Sequence, residues 1–152
     1  MLPNSIQLVI VTPERQLLRE AVVDIQIPGA EGYLGILPGH APLITELGIG
    51  ELSYRPSSGD ETGHLAVIRG FVEVLPDRVT VLAETAEFAY EIDLQRAQAA
   101  LDRARQKLAA NDPNADWDRE TAALDGALVL VQVASKHLRV AKHEGVSVVT
   151  AH

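Results

Sequence analysis

The 152-residue sequence contains no cysteine, which excludes disulfide bonds, thiolate metal sites, iron–sulfur clusters and a cysteine nucleophile. Aromatic residues make up only 4% of the chain, so Val, Ile, Leu and Ala must fill the core. Basic residues are also scarce, because 13 Lys and Arg stand against 21 Asp and Glu, for a formal net charge of -8. This negative charge would repel a phosphate backbone, so we expect the chain not to bind nucleic acid.

Long apolar runs are missing as well. The longest nearly uncharged apolar stretch, residues 126–134, is far shorter than the roughly 20 residues that a membrane-spanning helix needs. Residues 1–12 lack the charged start, apolar stretch and cleavage site of a secretory signal. The sequence therefore predicts a cytoplasmic protein without direct membrane insertion, whose association with a membrane is indirect.

The pattern of apolar residues changes near residue 86, which predicts two domains, 1–86 and 87–152. Before the change, short runs rich in Val and Ile alternate with turn residues such as those at 12–15, 56–60 and 76–77. Six runs are predicted as strands: Ile6–Val11, Val22–Ile27, Gly50–Arg55, Leu65–Arg69, Phe71–Leu75 and Arg78–Ala83. Strands at this spacing favour a β-sandwich or a flattened barrel over βαβ units.

After residue 93 the apolar residues follow a helical spacing. Steps of three and four define one narrow stripe: Leu94, Ala97, Leu101, Ala104 and Leu108. Asp93 suits the N-cap, because its carboxylate can accept hydrogen bonds from the first turn. Residues 111–114, Asn-Asp-Pro-Asn, are expected to end this first helix.

A second helix is predicted to start after Asp116 or Asp118, giving an antiparallel two-helix hairpin. The expected apolar face carries Leu124, Leu128, Val131 and Leu138. Within this helix, valines occupy every second position at 129, 131 and 133, a spacing that is typical of a strand. Residues 145–150 are more strand-like still, and a loose tail is the other interpretation of them.

Residues 28–43 form the most distinctive stretch, with four glycines and three prolines. A phosphate-binding loop is excluded, because the stretch contains no Lys and β-type residues follow it rather than a helix. Two interpretations remain. The stretch either supplies tight turns between strands, or it is a docking loop that presents Glu31, Tyr33 and His40 on a rigid surface.

The residues offer no catalytic or metal centre. The five histidines are scattered, and none forms a helix-spaced pair with a nearby ligand carboxylate. The serines lack a nucleophile elbow, and the acidic pairs lie in turns or at a helix start. We therefore expect no metal site and no enzyme activity. Arg96 and Arg103 share a helix face, where they either hold an anionic ligand or pair with acids such as Asp93 and Asp102.

Three segments and one motif occur in a fixed order along the chain: residues 28–43, Arg-Gly-Phe-Val-Glu-Val at 69–74, Val-Thr-Val-Leu-Ala-Glu-Thr-Ala-Glu at 79–87, and Ile-Asp-x-x-Arg-Ala at 92–97. This combination resembles the epsilon subunit of F-type, proton-translocating ATP synthases, over residues 6 to about 110. The resemblance implies an α+β fold, with an N-terminal flattened ten-stranded β-sandwich followed by a C-terminal antiparallel two-helix hairpin.

The resemblance also implies a function. Such a chain would be a non-catalytic central-stalk rotor subunit of the complex that couples proton flow to ATP synthesis. Its sandwich would bind the gamma subunit and the c-ring, and its extended helices would reach the catalytic alpha/beta head and inhibit ATP hydrolysis. It would lie peripherally on the cytoplasmic face of the bacterial plasma membrane. Glu31 and His40 fall in the segment that resembles the ring-contacting loop, and Tyr33 stands where some relatives carry an acid.

Some bacterial relatives of this kind bind ATP between the two helices. The resemblance places that site on six residues: Glu87, Ile92, Asp93, Arg96, Ala97 and Arg103. The arginines that the second helix would supply are missing, because Gly126 and Leu130 stand at about those positions. The expectation is that no cofactor is required and that regulatory ATP binding is at most weak.

A different class of protein also fits the two-part pattern, namely a small-ligand-binding β-sandwich module with a helical lid. A rotor subunit should expose an apolar patch on its sandwich, whereas a binding module should enclose an apolar pocket with a few polar groups. The structure of the sandwich surface distinguishes these two hypotheses.

Overall fold

The computed structural model describes residues 3–143. The chain divides into two compact units, the first ending at Glu87 and the second beginning at Phe88. The strands are β1 (Ile6–Val11), β2 (Gln16–Gly29), β3 (Gly32–Ile36), β4 (Leu43–Pro56), β5 (Gly63–Val74) and β6 (Arg78–Phe88). A 3₁₀ turn at Ala89–Glu91 precedes α1 (Leu94–Ala109) and α2 (Trp117–His143).

The strands form one sheet in the order β1-β6-β5-β4-β2-β3, and an additional pairing of β1 with β2 closes it into a barrel-like sandwich. β1 runs antiparallel to β2 and parallel to β6, where Gln7 lies opposite Arg78. The fully buried side chains are aliphatic, as the composition predicts, and include Ile6, Leu8, Ile25, Leu52, Leu65, Val67, Val72 and Val79. The sandwich followed by two helices confirms the predicted fold class.

The expected number of ten strands is wrong for the residues described, which form six. The reason is that β2 and β4 are each 14 residues long and bend. The first half of β2 pairs with β1, while its second half pairs with β3 and β4, and the register shifts between Val22 and Asp24. One continuous strand therefore serves two parts of the sandwich. The sequence pattern of short apolar runs also did not predict two stretches of strand, Gln16–Ala21 at the start of β2 and the whole of β3.

β5 contains a strained bend at Arg69 and Gly70, whose φ angles are 53° and 137°. A β-carbon at Gly70 would overlap the carbonyl oxygen of Leu82 in β6. Glycine is therefore needed here both for its backbone conformation and for the close approach of the two strands. The bend lies directly before Phe71.

In the second unit, α1 begins at the predicted N-cap, Asp93. The Asp93 carboxylate accepts a hydrogen bond from the Arg96 backbone N–H at 3.1 Å, and α1 starts at the next residue. The chain leaves the helical conformation at Asn111, whose φ is 52°. At the start of α2, Asp116 accepts from the Arg119 N–H at 3.2 Å. Asp116, rather than Asp118, is therefore the cap of the second helix.

The predicted apolar face of α2 is wrong. Leu124, Leu128, Val131 and Leu138 are only half-buried. The buried residues lie on another side of the helix and are mostly small: Gly126, Ala127, Val129, Val133 and Ala134. Small side chains let two helices approach closely, and a pattern built on large aliphatic residues overlooks them. The alternating valines lie within the helix, so the strand interpretation of that stretch is also wrong.

Residues 145–150, for which a strand and a loose tail were both considered, lie outside the described residues. Within the part that the structure describes, neither helix combines the length and the apolar character that crossing a membrane would require.

Candidate functional site

The stretch 28–43, called the docking segment below, begins with a tight hairpin. Gly29 pairs with Gly32, so Ala30 and Glu31 form the two-residue turn between β2 and β3. The Ala30 N–H donates to the Glu46 carbonyl oxygen at 3.1 Å, which holds the turn against β4. Glu31 is exposed and forms no ion pair within residues 3–143. Its carboxylate is thus a free charge at the tip of a fixed turn.

Tyr33 is an exposed but anchored side chain. It lies on β3 opposite Pro28, and 61% of its surface is accessible. Its hydroxyl oxygen accepts a hydrogen bond from the Glu51 backbone N–H at 3.1 Å. A β-carbon at Gly50 would lie 2.8 Å from that hydroxyl, so the glycine makes room for it. The ring is therefore presented to solvent in a defined position.

His40 lies on the connection between β3 and β4. The preceding residue, Gly39, donates its N–H to the Pro76 carbonyl oxygen at 2.8 Å, which ties this connection to the β5–β6 turn. The His40 N–H donates to the Leu37 carbonyl oxygen at 3.1 Å, and its Nδ1 lies 2.7 Å from the carbonyl oxygen of Ala41. The ring is thereby oriented by its own loop.

Within residues 3–143, no hydrogen bond or ion pair joins Glu31, Tyr33 and His40 to one another. They are three separate points on one restrained segment. Both interpretations of the segment are compatible with this geometry, because the glycines and prolines make tight turns and those turns fix exposed side chains. The arrangement offers three separate side-chain contacts to a partner.

The sequence analysis missed an exposed apolar surface on the sandwich, which we call the outer stripe. It consists of Ile44, Phe71 and Leu82, which are 74%, 56% and 52% exposed. They lie on β4, β5 and β6, which are neighbours in the sheet. Large apolar side chains exposed on three neighbouring strands favour a surface that a partner covers.

The ladder places the residues of the outer stripe on one face. Phe71 lies opposite Glu46, two positions along β4 from Ile44, so both side chains project to the same side. Hydrogen bonds between Leu75 and Arg78 close the next turn, and counting back from it puts Phe71 opposite Leu82. The signal was present in the sequence, because Phe71 alternates with the buried Val72 and Val74 and so must face outward.

The six residues assigned to ATP binding are divided between the two units. Glu87 ends the first unit, and the other five lie in the second. Ile92 and Ala97 are buried apolar residues, and the Asp93 carboxylate caps α1. These three side chains thus have structural roles.

Arg96 and Arg103 are exposed on one face of α1, about 10 Å apart along the helix axis. Neither forms an ion pair within residues 3–143, so pairing with Asp93 or Asp102 is not observed there. On α2, Gly126 is buried and Leu130 is half-buried. Those two positions provide no cation that could complete a phosphate clamp with the α1 arginines.

Two family models match the chain in succession. One, the beta-sandwich domain of the ATP synthase delta/epsilon chain, matches residues 5–89, and the other, the long alpha-helix domain of the same chain, matches residues 91–135. The chain belongs to the ATP synthase delta/epsilon chain family. The boundary between the two matches falls at 89/91, close to the division of the structure at Glu87.

Individual relatives agree with this family. The ATP synthase epsilon chain of Solibacter usitatus is 53% identical over 106 residues, covering 70% of this chain and 78% of the relative. The ATP synthase epsilon chain of Geobacter metallireducens is 49% identical over 131 residues, covering 86% of this chain and 94% of the relative. The resemblance found from the motifs is thereby confirmed.

Solved structures show the same fold. A chain in the Euglena gracilis mitochondrial ATP synthase, determined with OSCP, F1 and the c-ring, superposes with a TM-score of 0.68 at 25% identity, covering 94% of this chain and 84% of that one. A chain in the central stalk and c-ring structure of the Tetrahymena thermophila mitochondrial ATP synthase superposes with a TM-score of 0.56 at 18% identity. The match covers 87% of this chain and 95% of that one. The second likeness supports the fold alone.

Proposed function

We propose that the chain is a non-catalytic rotor subunit in the central stalk of an F-type ATP synthase, where it links gamma to the c-ring. The observation that carries this proposal is the match of both domains, in order, to the delta/epsilon family. The solved structures named above come from assemblies that contain F1, the central stalk or the c-ring. By this proposal the chain is peripheral to the membrane, on the cytoplasmic face of the bacterial plasma membrane.

The exposed surfaces of the sandwich support a subunit over a ligand-binding module. The outer stripe projects three large apolar side chains into solvent, and burying each against a partner would contribute about 1.5–3 kcal/mol. The docking segment adds a free carboxylate, an anchored tyrosine ring and a loop histidine on a restrained backbone. We assign the docking segment to the c-ring and the outer stripe to another stalk partner.

The docking assignment predicts the effect of removing two rings. The double substitution Tyr33→Ala and His40→Ala, which removes one exposed and one half-buried ring, should weaken binding of the chain to a purified gamma–c-ring complex by about tenfold or more, because two contacts to the partner are lost. Isothermal titration calorimetry measures the change. The matched control is Glu61→Ala, which alters an exposed side chain in the β4–β5 connection and should bind normally.

The fold must survive the double substitution for this test to be valid. Tyr33 is exposed and His40 is a half-buried side chain of a connecting loop, so the thermal midpoint and the β-type circular dichroism should stay close to those of the unaltered chain. An unchanged binding isotherm in a folded double variant contradicts the docking assignment.

We further propose that ATP is not a required cofactor and binds weakly at most. The support is that Gly126 and Leu130 supply no cation on α2 to act together with Arg96 and Arg103 of α1. A ligand present at a hundredfold excess over its Kd stabilises the folded state by about 2.7 kcal/mol, which would raise the midpoint by several degrees.

Millimolar ATP should therefore shift the thermal midpoint by less than about 1 °C. Differential scanning calorimetry with and without ATP checks this, and the double variant Arg96→Ala and Arg103→Ala serves as the control, since it should respond to ATP no differently. A shift of several degrees that the double variant abolishes would establish an ATP site on α1.

A further inference from the structure

β3 is the edge strand of the sheet. Among residues 3–143 it ends the strand order and pairs with β2 alone, whereas the pairing of β1 with β2 closes the rest of the sheet. Gly32, Tyr33 and Gly35 are exposed. An edge strand presents backbone N–H and C=O groups that have no partner in the sheet, and it can therefore pair with another chain.

The pairing with β2 indicates which groups point outward. The pair that closes a two-residue turn exchanges hydrogen bonds, and here that pair is Gly29 with Gly32. Bonding then alternates, so Leu34 bonds to β2 while Tyr33 and Gly35 direct their N–H and C=O groups away from it. In the part of the chain that the structure describes, these four backbone groups have no partner in the sheet.

The usual protection of a free edge is missing from β3. Edge strands are commonly shielded by charged side chains, by proline or by a bulge. Gly32–Ile36 has the sequence Gly-Tyr-Leu-Gly-Ile, which contains neither a charge nor a proline, and its pairing with β2 is regular. The nearest charge is Glu31, at the start of the edge, and it has no ion-pair partner within the described part of the chain.

We propose that an extended segment of the c-ring, the partner assigned to the docking segment, pairs with β3 and extends the sandwich by one strand. The segment is short, because β3 has five residues. It is apolar where it meets Tyr33 and Leu37, both 61% exposed, and it carries a basic residue near Glu31. Backbone hydrogen bonds supply the affinity and these side chains supply the selectivity. The inference rests on the proposed rotor function and specifies how that partner is held.

The test compares two substitutions at one position in binding to a purified gamma–c-ring complex. Gly35→Pro removes an outward N–H. Gly35→Ala keeps it and adds the same β-carbon, which would lie 3.2 Å from the flexible end of the Gln26 side chain. We expect Gly35→Pro to weaken binding by about tenfold or more and Gly35→Ala to stay within about twofold.

Hydrogen–deuterium exchange on the unaltered chain gives a second measurement that does not depend on a variant folding. The amides of Tyr33 and Gly35 should exchange about 100-fold more slowly in the gamma–c-ring complex than in the free chain. The Leu34 amide, already bonded to β2, should be slow in both.

The outcomes separate the two proposals. If the chain does not bind the complex at all, the rotor function itself is contradicted. If it binds but the exchange of Tyr33 and Gly35 is unchanged, or if a folded Gly35→Pro variant binds like Gly35→Ala, strand addition at β3 is overturned and the rotor function stands.

Discussion

The substitution Gly70→Ala is expected to lower the free energy of unfolding by about 3 kcal/mol or more. A left-handed φ costs a non-glycine residue roughly 1–2 kcal/mol, and overpacking adds about 1–3 kcal/mol. Both apply at Gly70, because its φ is 137° and a β-carbon would overlap the Leu82 carbonyl oxygen. Urea unfolding followed by β-sheet circular dichroism measures the loss.

Gly32 provides a matched control for this substitution. Its φ is 136°, but a β-carbon there would have no heavy atom within 4 Å. Gly32→Ala should therefore cost only the backbone term, about 1–2 kcal/mol. Equal losses for the two variants would show that β5 and β6 separate freely at Gly70, contrary to the close approach described above.

Removing residues 88–152 is expected to leave a folded sandwich and to raise ATP hydrolysis by the assembled enzyme about threefold or more. The first unit closes its own sheet and core, and it ends at Glu87. If the extended helices block hydrolysis, a threefold rise means that two complexes are blocked for each active one before the deletion. The blocked state is then more stable than the active state by about 0.4 kcal/mol. Steady-state phosphate release measures the rate.

A truncation after residue 144, which keeps α1 and α2, is the control for that deletion and should hydrolyse ATP at the original rate. The shortened sandwich alone should show β-type circular dichroism and a cooperative transition. Unchanged hydrolysis with a folded, incorporated sandwich would refute an inhibitory role for the helices, and a molten truncated chain would contradict the independence of the first unit.

Much of the fold could be predicted from local chemistry. Asp93 is predictable as the cap of α1 because a carboxylate just before a helical period can accept hydrogen bonds from the first turn, and the turns at 12–15 and 76–77 follow from their residues. The number of strands could not be predicted, because a bend within β2 is set by its partners on either side rather than by its own residues. The buried side of α2 was missed because close packing selects its small residues.

The candidate site was partly visible in the sequence. The docking segment is recognisable by its glycines and prolines, but the hydrogen bond between Tyr33 and the Glu51 N–H joins residues 18 positions apart and depends on the sheet. The outer stripe requires knowing that β4, β5 and β6 are neighbours. Burial of Ile92 and Ala97 likewise depends on packing that residue identity does not reveal.

The parallel pairing of β1 with β6 has a consequence for synthesis on the ribosome. Gln7 can pair with Ala21 of β2 early, but its parallel partner Arg78 comes 71 residues later, so the other edge of the first strand must wait for the last strand of the sheet. Pairings that distant are slow to form. The sandwich therefore cannot close while β6 is still inside the exit tunnel, and part of the aliphatic surface of the sheet stays exposed on the nascent chain until β6 has emerged.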